Sequence, residues 1–90
     1  MTSIGKETFH RCRLLETIEI PNSVTYIGDG AFSFCESLTS ITIPDSVTYV
    51  GNKAFYACET LKYIYCKAES KPDGWHDNWQ GYSPAEVIWG

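Results

Sequence analysis

No apolar run in this chain approaches the roughly 18 residues of a membrane-spanning helix. The opening MTSIGKETFH also lacks the charged start and apolar stretch of a secretory signal. The chain is therefore read as soluble, without membrane insertion and without an address of its own. It has no cluster of Lys or Arg either: seven basic residues against eleven acidic ones leave a net charge of −4. Counter-ion release, the main source of affinity for nucleic acid, has nothing to draw on. No two cysteines are separated by the two to four residues typical of zinc ligands, and no group of Asp and Glu has calcium-loop spacing. Asn22, Asn52 and Asn78 all miss the N-x-S/T pattern, so no N-glycan is expected. Metal ions and cofactors are not expected.

What is present is ordinary globular material: 90 residues, 43% hydrophobic and 20% charged, too short for two domains. Its organising feature is a repeat of 23. Leu15 to Ser37 laid over Leu38 to Thr60 gives identity at 13 of 23 positions without a gap. They include Ile18/Ile41, Ile20/Ile43, Pro21/Pro44, Val24/Val47, Gly28/Gly51, Phe32/Phe55 and Cys35/Cys58. Carried backwards, the frame puts Ile4, Gly5, Phe9 and Cys12 under Ile27, Gly28, Phe32 and Cys35. Carried forwards, Leu61, Ile64 and Cys66 fall under Leu38, Ile41 and Ile43, and after residue 66 the frame dissolves.

Each unit has a physical reading. Ile41-Thr42-Ile43 alternates with the strand period of two, so a short strand buries one face. Pro44-Asp45-Ser46 ends pairing and turns the chain. Val47 to Val50 is β-branched and aromatic, a second extended edge with Val47 and Val50 inward, closed by Gly51. Asn52, or Asp29 one unit earlier, is read as the N-cap of a helical turn that points Ala54, Phe55 and Cys58 inward. A unit of 23 cannot bury its own inner face, so neighbours must stack into one continuous core.

The pattern L-x-x-I-x-I-P-x-S-V-T-x-I-G-x-x-A-F-x-x-C-x-x, twice complete, resembles the BspA-like class of leucine-rich repeat of bacterial surface proteins. The resemblance implies a β-rich leucine-rich-repeat solenoid of the α/β horseshoe type: right-handed, with short parallel strands, one-turn helical segments and a C-terminal cap. It implies a partial unit over 1–14, full units over 15–37 and 38–60, a strand over 61–68 and a capping segment over 69–90. It further implies an extracellular or cell-surface setting, a protein partner from host or matrix, and no catalytic residues. The rival reading of the function is a spacer array with no ligand of its own.

Cys12, Cys35 and Cys58 are one repeat apart and form a column at the rung spacing of roughly 4.8 Å. Parallel side chains keep Cβ atoms near that spacing, wider than the roughly 3.8 Å that a disulfide prefers, and three cannot pair off. Cys66 takes the inward place of Ile20 and Ile43 on another edge. All four are read as reduced, buried, core-filling thiols. A catalytic thiol or serine needs a base beside it, and neither His10 nor His76 has a partner at sensible spacing in the sequence.

Trp75, Trp79 and Trp89 all fall in the last 16 residues. Trp75 and Trp79, spaced i, i+4, would share one face of a short helix. An aromatic platform for a sugar or peptide is one reading; a cap over the last apolar layer, with Val87-Ile88-Trp89 as a final strand, is the favoured one. A ligand surface is better sought in the outward columns Thr17, Ser40, Tyr63 and Glu19, Thr42, Tyr65, whose tyrosines and short hydroxyls suit protein contact. Strand propensity alone would also put Thr and Tyr there. Because Met1 to Gly5 aligns with Val24 to Gly28, the chain reads as the C-terminal part of a longer array, with an uncapped first strand open to end-to-end self-association.

Overall fold

The computed structural model describes residues 2–90, so the alignment of Met1 under Val24 lies outside the described residues. Period-two segments form the strands β2 (Thr17–Glu19), β4 (Ser40–Ile43), β6 (Tyr63–Cys66) and β7 (Glu86–Trp89). They make one parallel sheet in that order. Its register advances by one repeat at every step: Thr17 faces Ser40, Ser40 faces Tyr63 and Tyr63 faces Glu86. The step of 23 thus persists through β7, although the sequence identity that revealed it ends at residue 66. A second parallel sheet stacks β1 (Ser3–Ile4), β3 (Tyr26–Ile27) and β5 (Tyr49–Val50). The result is a parallel-strand β-solenoid of about four turns.

The third edge departs from the expected helical segments, because no helix forms there. Residues 6–11, 29–34 and 52–57 are consecutive turns instead. Glu7, Gly30 and Lys53 hold φ between 55 and 61°, and so do Arg11, Phe34 and Ala57. A left-handed residue at both ends of a turn prevents an α-helical ladder. The N–H groups alternate between a local bond and the next rung: Ser33 donates to the Gly30 carbonyl at 3.1 Å, whereas Phe32 donates to the Ala54 carbonyl at 2.8 Å. Stacking offers these donors a partner one rung away, and inter-rung bonding displaces the helix that local propensity suggested. The expected N-cap is redirected in the same way: Asp29 Oδ1 accepts the N–H of Asn52, in the next rung, at 2.9 Å.

Inward side chains fill the triangle in columns. Phe9, Phe32 and Phe55 stack with centroids 5.1 and 5.4 Å apart and planes within 4°. Ile27, Leu38, Ile41, Ile43, Val47, Val50, Ala54, Leu61 and Ile64 are fully buried around them. Each such large side chain contributes about 1.5–3 kcal/mol, which no single rung could collect alone. Cys35, Cys58 and Cys66 are buried. Cys12 is only half-buried, contrary to the sequence reading, because among the described residues no rung lies beneath it. All four are free thiols.

Beyond Cys66 the chain makes one more circuit. Trp75 and Trp79 reach the core from turns, not from the expected helix, and meet edge to face at 4.9 Å. Both are buried, the Trp75 indole N–H donates to the Val47 carbonyl at 3.1 Å, and Trp89 packs on both rings. Buried rings cannot serve as a ligand platform, and these two cover the layer headed by Phe55.

Candidate functional site

The β2–β4–β6–β7 sheet turns alternate side chains outward, and its register brings together the residues that the sequence singled out. Thr17, Ser40 and Tyr63 form one column that Glu86 extends; Glu19, Thr42 and Tyr65 form the next, which Ile88 extends. Tyr63 and Tyr65 sit on one strand with rings 5.8 Å apart and nearly parallel, each 41% exposed. Thr17 and Glu19 are exposed, and Ser40 and Thr42 are half-buried between larger neighbours. Clefts flank this face at both ends. One is bounded by Glu19, Pro21, Asn22, Pro44 and Lys67, with a volume of about 320 Å³. The other lies beside Tyr63, against Glu59, Lys62, Pro84 and Glu86. Glu86 and Ile88 could not be placed on this face from the repeat, because their segment matches none of its side chains.

A second outward stripe runs along the turn edge. His10, Phe34, Tyr56 and Tyr82 meet edge to face in succession at 5.6, 5.5 and 6.1 Å. The Arg11 guanidinium lies 5.3 Å from the Phe34 ring centre, and the Lys53 ammonium 5.2 Å from that of Tyr56. A stripe spaced by 22 to 26 residues has no local signature in sequence.

The fold also gives His10 a partner that spacing did not reveal: its Nδ1 lies 2.6 Å from Ser33 Oγ. That is nucleophile-to-base distance, but the Ser33 side chain is buried and its hydroxyl donates to the Gly30 carbonyl at 2.9 Å. With its one proton so placed, Ser33 accepts from an imidazole N–H and ties two rungs together. The thiol column is bonded likewise. Cys35 and Cys58 donate S–H to the carbonyls of Phe9 and Phe32 at 3.1 and 3.0 Å. A hydrogen bond with Cys35, together with burial, pushes the Cys58 thiol up, and burial pushes Cys66 up to about 12. Cys58 and Cys66 therefore stay protonated and unreactive at neutral pH, whereas the hydrogen bond with Cys58 draws Cys35 below its ordinary value. Among the described residues no group of three His, Cys, Asp or Glu side chains is arranged to hold a metal ion.

A family model described as a BspA type leucine-rich repeat region (6 copies) matches residues 1–72. No curated protein and no solved structure matches the chain.

Proposed function

Because the chain belongs to the BspA-type leucine-rich repeat family, we propose that it is a non-catalytic protein-interaction and adhesion module of a bacterial cell-surface repeat protein. Its contact surface is the outward face of β2, β4, β6 and β7, with Thr17, Glu19, Ser40, Thr42, Tyr63 and Tyr65 as contact residues. The observation that supports this most is the pair Tyr63 and Tyr65, stacked and exposed on an inner strand of the parallel sheet. Tyrosine supplies large contact area at low entropic cost and is enriched among the residues that carry interface energy. The hydroxyls of Thr17, Ser40 and Thr42 add short polar contacts around the pair, and Glu19 and Glu86 give the face an acidic margin.

The test is binding of the 90-residue chain to immobilised host extracellular-matrix proteins by biolayer interferometry, compared with the Tyr63→Ala/Tyr65→Ala variant. Loss of two central tyrosines should weaken a genuine contact by about 2 kcal/mol or more, roughly thirtyfold. Binding that is absent, or equal for both proteins, would leave the strand face without a ligand and favour the spacer.

A further inference from the structure

The turn edge holds a cleft that the strand face does not use, and a break in the repeat creates it. At one outward position successive rungs carry Glu7, Gly30 and Lys53; at another they carry His10, Ser33 and Tyr56. The middle rung is small at both places. The missing side chains leave a hollow of about 220 Å³ over Gly30 and Ser33. Its aromatic lining is His10, Phe34 and Tyr56, locked edge to face. Phe34 stands at φ 59°, a conformation that bulky residues avoid and that glycine would adopt freely. Arg11 and Ala57 hold the same conformation one rung either side, so turn geometry common to the rungs sets the Phe34 ring between the other two.

The polar lining selects the ligand. Lys6 and Lys53 supply two amines, Glu7 and Asp29 two carboxylates, and Asn52 an amide. These charges cancel, so an ionic ligand of either sign meets two like charges as well as two opposite ones. A hydroxyl both donates and accepts, so it suits this mixed set, in which Asp29 Oδ1 already accepts from the Asn52 N–H and Asn52 Oδ1 from Asn78 Nδ2. Arg11 and Lys53 lie over the Phe34 and Tyr56 rings, and the ring surface they leave uncovered is what is offered to the C–H face of a compact ring. The volume lies below the roughly 300–1,000 Å³ of sites for drug-sized ligands, which limits the occupant to one small ring. We propose that this cleft binds a single neutral pyranose unit of a glycan, independently of the strand face.

The full 90-residue chain is titrated with methyl β-glucoside, methyl β-galactoside and methyl α-mannoside, followed by amide NMR. Saturable shifts are expected with at least one glycoside, confined to residues 6–10, 29–34 and 52–56. The deciding variant is Gly30→Lys. A Cβ at Gly30 meets nothing closer than 3.5 Å, and Lys53 already holds the equivalent place at φ 55°. The variant should therefore fold and fill the hollow, weakening binding about tenfold or more. Tyr56→Ala, which removes a half-buried wall, should weaken it as well. No saturable shift with any of the three, unchanged binding by folded Gly30→Lys, or tighter binding of glucuronate or glucosamine than of the neutral glycosides would overturn the proposal.

Discussion

Sulfur at positions 35 and 58 answers a need created by stacking. The Phe9 and Phe32 carbonyls face the core, and the S–H group one rung on is small and apolar enough to sit there while still donating to them. Cys66 is different, since burial alone raises its pKa, to about 12 from an unfolded value of 9.0. A raised folded value means stability fully present below the unfolded pKa and lost as pH climbs through the folded one. The three-unit gap sets an upper bound of roughly 4 kcal/mol, lost between about pH 9 and 12. Replacing Cys66 with isoleucine, the residue at the equivalent places 20 and 43, removes this alkaline loss. At neutral pH the swap adds bulk beside Trp89 in a packed column, so it should cost about 1–3 kcal/mol. Urea midpoints of both proteins at neutral pH and near pH 10.5 check this, with the wild type expected to fall further by about 2 kcal/mol. Parallel pH dependence of the two proteins would show that Cys66 titrates normally.

The elements owe their form to rung contacts more than to local propensity. Gly51 follows β5 where the chain passes over the preceding rung, and a Cβ there would strike the Asp29 side chain and come within 2.5 Å of the Asp29 backbone nitrogen. Gly51→Ala should therefore destabilise by about 3 kcal/mol or more, since backbone must shift to admit the methyl group. Ala57 makes the opposite case. It sits at φ 60°, so Ala57→Gly should stabilise by about 0.5–1 kcal/mol through relief of a left-handed conformation. Chemical denaturation of both variants measures the contrast, and equal effects would contradict the turn geometry. This contrast also marks how far the sequence was legible. The alternation in Ile41-Thr42-Ile43 and Tyr63-Ile64-Tyr65 carries its own inward and outward assignment, so both strand-face columns followed from it. The third edge did not, because spacing that suits a helical turn also suits consecutive turns, and only the inter-rung bonds decide between them. The cleft was harder still, since it consists of what Gly30 and Ser33 lack and exists only once three rungs are stacked.

The two ends of the solenoid are built differently. At one end Trp75 and Trp79 are buried over the last layer. At the other, Phe9, Cys12, Leu15 and Ile18 are half-exposed, while their equivalents Phe32, Cys35, Leu38 and Ile41 are at most 1% exposed. Full burial of a large apolar side chain is worth about 1.5–3 kcal/mol, so four half-exposed positions leave a few kcal/mol to be gained by covering them. Association itself costs roughly 4–15 kcal/mol, which this gain meets only if the free backbone edges of β1 and β2 also pair. The 90-residue chain should therefore form a weak dimer through this end, populated at millimolar concentration and dissociating on dilution. At the tryptophan end Val87 and Trp89 are half-buried as well, so the assembly closes at two only if the open β1–β2 end pairs with the same end of a second copy. Light scattering across a dilution series should move from a 10.2 kDa species towards twice that mass as concentration rises. A constant monomer up to millimolar concentration would show that the open layer is too small to drive association. Growth past the dimer would show that the tryptophan end accepts a partner too.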